Sequence, residues 1–173
     1  EHSAVLSLCK VLQTEGYQVT LLDVNPQGQI HLDQLRAAMT DQTALVSIMA
    51  ANNETGVLHP VREIGEIVHA GGGLFHTDAV QAIGKIPISL KDLPVDFLSL
   101  SGHKIYAPKG IGALFIRRGI KFCPPMTGGG QEKGRRGGTE NTASIVGFAL
   151  ACRLAMAHSG EEAARIRHLR DRF

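Results

Sequence analysis

The sequence predicts an α/β fold, a three-layer α/β/α sandwich around a mainly parallel sheet. Three observations point there. Helical stripes alternate with short apolar runs along the 173 residues, as in chains built from strand–helix–strand units. Ala44–Ala50 is almost continuously apolar, the pattern of a strand covered on both faces. The composition, 43% hydrophobic and 20% charged, is that of a globular domain long enough to bury a core.

Each element has a local reason. Val5, Leu8, Cys9 and Leu12 give the i, i+3, i+4, i+7 stripe of a helix, which Gly16 stops. Val19–Asp23 reads as a short strand, and Asn25-Pro26-Gln27-Gly28 as a turn. A second helix is expected over Leu32–Thr40, with Leu35 and Met39 inward, and then the Ala44–Ala50 strand. Pro60 opens a helix through Val61, Ile64, Ile67 and Val68, closed by Gly71-Gly72-Gly73. Leu74–Thr77, Val95–Ser101 and Gly112–Arg117 read as three further strands. The glycine-rich loop Gly128–Gly138 leads to a helix with Ile145, Phe148, Ala149, Cys152 and Met156 on one stripe. Glu161–Phe173 reads as another helix, acids first and bases last, as the helix dipole favours. The chain opens at Glu1-His2 and closes inside that helix, so it is expected to be a piece of a longer chain. Residues 1–160 form one domain, and 161–173 start the helix toward a second, smaller one.

Composition narrows the function. With 18 Lys+Arg against 16 Asp+Glu the net charge is +2, too weak a basic excess to mark a nucleic-acid or anionic-membrane surface. No apolar run of membrane-spanning length is expected, and mean hydropathy is +0.01. Cys9, Cys123 and Cys152 lie far apart with no C-x-x-C, which suits a reducing compartment and a cytoplasmic location better than a disulfide framework.

In open α/β sheets ligands bind beyond the carboxyl ends of the strands. Three segments following strands carry functional side chains: Asn52-Asn53-Glu54-Thr55-Gly56, His76-Thr77-Asp78-Ala79-Val80-Gln81 and Ser101-Gly102-His103-Lys104. Lys104 follows an apolar strand and two small residues; a lysine at the edge of an apolar site is a nucleophile toward aldehydes. The competing reading is a surface lysine. Asp78 ends a buried strand and needs a partner, such as a pyridinium nitrogen, unless it merely caps a turn. Gln81 suits a phenolic oxygen, or is exposed polar filler. Ser101, His103 and the glycine loop with Arg135, Arg136 and Thr139 offer donors for a phosphate dianion. The loop has neither the G-x-x-x-x-G-K-[ST] nor the dinucleotide-binding glycine spacing. His76, Asp78 and His103 are candidate metal ligands by type, but no H-x-x-x-H or cysteine cluster accompanies them.

These motifs resemble the class V, aspartate-aminotransferase-like enzymes that bind pyridoxal 5'-phosphate (PLP). Within these the chain is most similar to cysteine desulfurases that feed iron–sulfur cluster assembly. The resemblance rests on Glu1-His2, Asn52–Gly56, His76–Gln81, Ser101–Gly110, Gly128–Glu132 and Arg135–Thr142, in order over nearly the whole chain. It implies the fold-type-I PLP-dependent transferase architecture. It also implies that Lys104 holds PLP covalently and then moves the α-proton of the substrate. Asp78 would pair with the pyridinium nitrogen, and His2 would stack on the ring and assist proton transfer. Gln81 and Asn53 would lie near the phenolic oxygen, and Ser101 and His103 at the phosphate. Thr139 would reach the phosphate of the other subunit of a homodimer. L-Cysteine is the implied substrate and a sulfur-acceptor or scaffold protein the implied partner. Cytoplasmic or mitochondrial location would fit. None of the three cysteines stands in the family's catalytic-cysteine context, so the chain alone is expected to be inactive. Selenocysteine lyase, another class V enzyme and a non-catalytic dimerisation module are the alternatives.

Overall fold

The computed structural model describes all 173 residues. Its elements run α1 (Ser3–Thr14), α2 (Leu32–Ala38), β1 (Leu45–Ser47), α3 (Val61–Ala70), β2 (Leu74–Asp78), β3 (Phe97–Ser101), β4 (Gly112–Ile116), a one-turn segment α4 (Gln131–Gly134) and α5 (Thr142–Arg170). A 3₁₀ turn, Gly102–Ile105, follows β3 directly. The four strands form one sheet in the order β1-β2-β3-β4. β1 pairs β2 and β2 pairs β3 in parallel, and β4 closes the edge antiparallel to β3. The mainly parallel α/β sheet expected from the sequence is therefore present.

One face of this sheet is the buried core. Phe75, Thr77 and Leu98 lie on it, and α2 and α3 cover it with Leu35, Ile64 and Val68. Two polar side chains tie the long β2–β3 connection to this core. The buried Asp96 carboxylate accepts from Phe75 N–H at 2.8 Å and is hydrogen-bonded to the His69 ring at 2.8 Å. Arg117 donates to the carbonyls of Val95 (2.7 Å) and Leu93 (2.7 Å). Gly65 makes the close approach of α3 possible: a Cβ there would sit 2.2 Å from the Pro94 carbonyl and 3.1 Å from the Phe75 ring.

The opposite face is open at its start, where Leu45 and Leu114 are 53% and 45% exposed. Toward the strand ends it carries a polar row. Ser47 Oγ lies 2.8 Å from His76 Nδ1, and His76 Nε2 lies 2.9 Å from Ser99 Oγ. One imidazole thus spans β1, β2 and β3. Burial pushes its pKa below the ordinary imidazole value, and the Asp78 charge opposes that only in part.

Several expectations are corrected. Val19–Asp23 is not a strand; it has no neighbouring strand to complete a ladder, and only Val24 bridges back, to Ile30. Ladder bonds from Ile48 N–H to His76 O and from Ala50 N–H to Asp78 O continue β1 along the predicted Ala44–Ala50, but Leu45 is not covered on both faces. The two expected C-terminal helices are one 29-residue helix running through Gly160. That helix contains an 18-residue stretch of mean hydropathy 1.2, long and apolar enough to cross a membrane by length and composition, so the expectation of no such run does not hold. Its Phe148 and Ala151 instead pack on Ile105 of the 3₁₀ turn.

Two consequences are testable. Gly65→Ala forces the Pro94 carbonyl or α3 to move, and should cost about 1–3 kcal/mol of stability, read as a lowered Tm with unchanged helix content. His76 is held neutral by burial, so its stabilising contribution is fully present above its unfolded-state pKa of about 6.5. That contribution is lost as pH falls from there through the lower folded-state pKa. His59, also pushed down by burial, acts with the same sign. Thermal melts between pH 8 and pH 5 should show Tm falling on acidification, with a shallower slope in His76→Gln.

Candidate active site

The parallel pairing brings the carboxyl ends of β1, β2 and β3 to one edge, and the predicted residues other than Thr139 lie on the segments at that edge. Asp78 is the last residue of β2 and half-buried. One of its oxygens, Oδ1, accepts from Val80 N–H at 2.9 Å, which turns the chain sharply after the strand and leaves Oδ2 unengaged. Gln81 follows in a tight turn held by Ala82 N–H and Ile83 N–H bonds to Ala79 O. Ser101 ends β3, and its Oγ lies 2.9 Å from His103 Nδ1, leaving His103 Nε2 free.

Lys104 is the third residue of the 3₁₀ turn. It is exposed and makes no hydrogen bond, so its amine is open to a carbonyl ligand. The turn is fixed from below: Gly102 and Ile105 are buried, and Gly102 N–H donates to Ile111 O at 2.9 Å. Tyr106 then takes a left-handed conformation, φ 67°, to leave the turn.

The N-terminal residues reach the same edge. Glu1 Oε1 accepts from Met49 N–H, at the end of β1, at 2.6 Å. Burial pushes the Glu1 carboxyl up, against that hydrogen bond, and the nearby Asp78 charge adds to the rise. Next to it, His2 Nδ1 accepts from Ala4 N–H at 3.1 Å and caps α1. Capping fixes the imidazole and leaves Nε2 available.

In the Asn52–Gly56 loop the work divides between neighbours. Asn52 Oδ1 accepts from Glu54 N–H, Thr55 N–H and Thr55 Oγ1, so Asn52 builds the turn. Asn53 is exposed and makes no side-chain hydrogen bond, free to meet a ligand. Thr139 lies apart from this group, exposed on a loop whose contacts are internal: Gly137 N–H bonds Met126 O, and Gly138 N–H bonds Gln131 Oε1. The glycines serve close packing of this loop on itself, since a Cβ on Gly137 would lie 2.8 Å from Thr127 O.

Four contributors escape the sequence reading. Ser47 and Ser99 interrupt apolar strands at positions that alternate onto the His76 face, opposite the helix-covered core, a signal that pairs of strand serines give only when the register is known. Glu1 stands in a motif there without a role. Lys85, four residues after Gln81, donates to Gln81 Oε1 at 2.6 Å. His76, a candidate metal ligand by type, has both ring nitrogens engaged by serines.

Comparison with known proteins agrees with this geometry. The family model described as aminotransferase class-V matches residues 1–171. A cysteine desulfurase from Nostoc sp. is 55% identical over 173 residues, which is 100% of this chain and 43% of the relative. Among solved structures, a "NifS-like protein" superposes with a TM-score of 0.97 at 44% identity, covering 99% of this chain and 48% of that one. A second, "SspA in complex with cysteine", gives a TM-score of 0.86 at 42% identity over 88% of this chain and 45% of that one. This chain thus spans less than half the length of these relatives. With the family model matched over residues 1–171, and with Asp78 and Ser101 at aligned strand ends and Lys104 on the turn that follows β3, the chain belongs to the class-V aminotransferase family.

Proposed function

We propose that this chain is the cofactor-binding part of a PLP-dependent cysteine desulfurase, the activity named for its similar relatives. The observation that carries the reading is the set of unengaged groups at one sheet edge. They are the free Lys104 amine, the second oxygen of Asp78, the Gln81 amide NH2 and His103 Nε2. That donor set fits PLP: an amine for its aldehyde, a carboxylate for its pyridinium N–H, and an imidazole beside a hydroxyl for its phosphate.

When bound, PLP supplies an electron sink for the pair left at the α-carbon of an amino acid. The chain's residues do the rest. Asp78 Oδ2 holds the proton on the ring nitrogen, with the strand end and Val80 N–H fixing its direction. Ser101 Oγ and His103 anchor the phosphate on the buried 3₁₀ turn. Lys104 Nζ would hold PLP through its aldehyde carbon and would be the base that moves the α-proton of the substrate. His2, fixed as the α1 cap, covers the ring face with Nε2 free for proton transfer. Gln81 and Asn53 face the phenolic-oxygen side, and Thr139 serves the phosphate of a second subunit in a homodimer.

The substrate is L-cysteine, in keeping with the cysteine complex of a similar structure, and a sulfur-acceptor protein takes the product. The thiol that accepts sulfur is none of this chain's three. Cys9 and Cys152 lie half-buried in α1 and α5, and burial pushes the Cys152 thiol up, away from thiolate. Cys123 is exposed but precedes Pro124-Pro125 on a separate loop. The chain by itself therefore binds cofactor without completing sulfur transfer. All three cysteines are unpaired, which suits the reducing cytoplasm.

The test is a PLP titration of the chain and of Asp78→Ala, followed by L-cysteine. Loss of a charge-assisted hydrogen bond should weaken PLP binding by about 10- to 100-fold. L-Cysteine should perturb the visible spectrum of the loaded chain without releasing alanine. Equal affinity in Asp78→Ala would count against the assigned role, and alanine release by this chain would contradict the separation of cofactor and thiol.

A further inference from the structure

Lys85 lies outside every motif that carries the family resemblance, yet it sits against the site. Residues 79–86 form consecutive tight turns, with Lys85 N–H and Ile86 N–H both donating to Ala82 O. Gln81 and Lys85 are thus four residues apart on one side of the turn. Gly84 lets this segment settle on the Lys104 turn. Its φ is +75°, and a Cβ there would lie 3.0 Å from Ile105 Cγ2 and 3.0 Å from Ala155 Cβ.

The Lys85–Gln81 contact is directional by chemistry. An ammonium has three donors and no acceptor, so the amide atom 2.6 Å from Nζ is the oxygen. With Oε1 occupied, the two N–H donors of Gln81 remain, and they have no partner within the chain. A surface pair of this kind is ordinarily loose. Here Lys85 is exposed and Gln81 half-buried, and what orders the pair is the turn itself, which places the two side chains four residues apart with Nζ 2.6 Å from Oε1. Partial burial and then the Lys104 charge push the Lys85 ammonium below the ordinary lysine value.

We infer that Lys85 is a positioning residue that locks the Gln81 amide so that its NH2, never its carbonyl, faces an anionic oxygen of the ligand bound beside Lys104. The inference rests on the PLP reading above for the identity of that ligand. It assigns to Lys85 the sign of the contact. A carbonyl facing a phenolate oxygen would repel it, whereas an amide polarised by an ammonium is a stronger donor.

The experiment compares the chain with Lys85→Met, which removes the donor, and Lys85→Arg, which keeps one. Without cofactor, the Gln81 side-chain NH2 pair should resonate away from random-coil positions in wild type and Lys85→Arg, and should move to random-coil shifts in Lys85→Met, the two protons staying distinct in all three because the amide C–N bond rotates slowly. With PLP, Lys85→Met should bind about 2- to 10-fold more weakly with a shifted visible band, and Lys85→Arg should restore both. Unchanged Gln81 resonances in Lys85→Met would overturn the inference whether or not PLP binds. Failure of the wild-type chain to take PLP, with the Gln81 resonances responding as expected, would instead overturn the functional reading and leave Lys85 as the lock.

Discussion

Parallel pairing of β1 with β2 and of β2 with β3 is the constraint from which the site follows. Parallel strands end on the same side, so Met49 and Ala50, Asp78, and Ser101 arrive at one edge without any side chain having to reach for another. The last ladder bond, Ala50 N–H to Asp78 O at 2.8 Å, carries the pairing to that edge itself. Parallel strands also need long crossovers, and these are the weak point of a single sheet. The buried Asp96 carboxylate and Arg117 hold the β2–β3 crossover down, and Gly65 lets α3 press against it.

Much of this is legible in the residues. Apolar runs bounded by Gly or Pro mark α3, β2, β3 and β4, and an apolar run alone marks β1, because burial on the sheet demands them. The polar residues ending those runs mark the site, because unpaired polar groups at buried strand ends need a reason to be there. The failures have physical causes too. Val19–Asp23 has strand composition, but pairing is a property of neighbours and the segment has none in this chain. Glu161–Phe173 carries its acids first and bases last, the charge order of a separate helix, yet α5 runs into it without interruption from Thr142 to Arg170. The Ser47–His76–Ser99 row depends on register across three strands, and the Lys85–Gln81 bond on how Gly84 docks, and neither is written in spacing alone.

The site is also organised by residues of contrasting type. Some are engaged and fixed: Asn52 builds its turn, His2 caps α1, and His76 bridges two serines. Their neighbours Asn53, Lys104 and His103 Nε2 are left open. Fixed groups beside free ones are what a preorganised binding site requires, since the scaffold then loses little entropy when ligand arrives. Exposed apolar residues Leu45 and Leu114 on the sheet, and Val146, Leu150 and Leu154 on α5, leave large surfaces uncovered. This agrees with a chain spanning less than half the length of its relatives.

On the proposed function, the edge where three parallel strands end is built around a nucleophilic Lys104. The direct test is borohydride reduction of the chain after addition of PLP, followed by peptide mapping. The expected result is a visible absorbance band that reduction abolishes, with the reduced pyridoxyl group on Lys104 alone. A well-folded chain that gives no band, or an adduct spread over Lys85, Lys109 and other surface lysines, would contradict it.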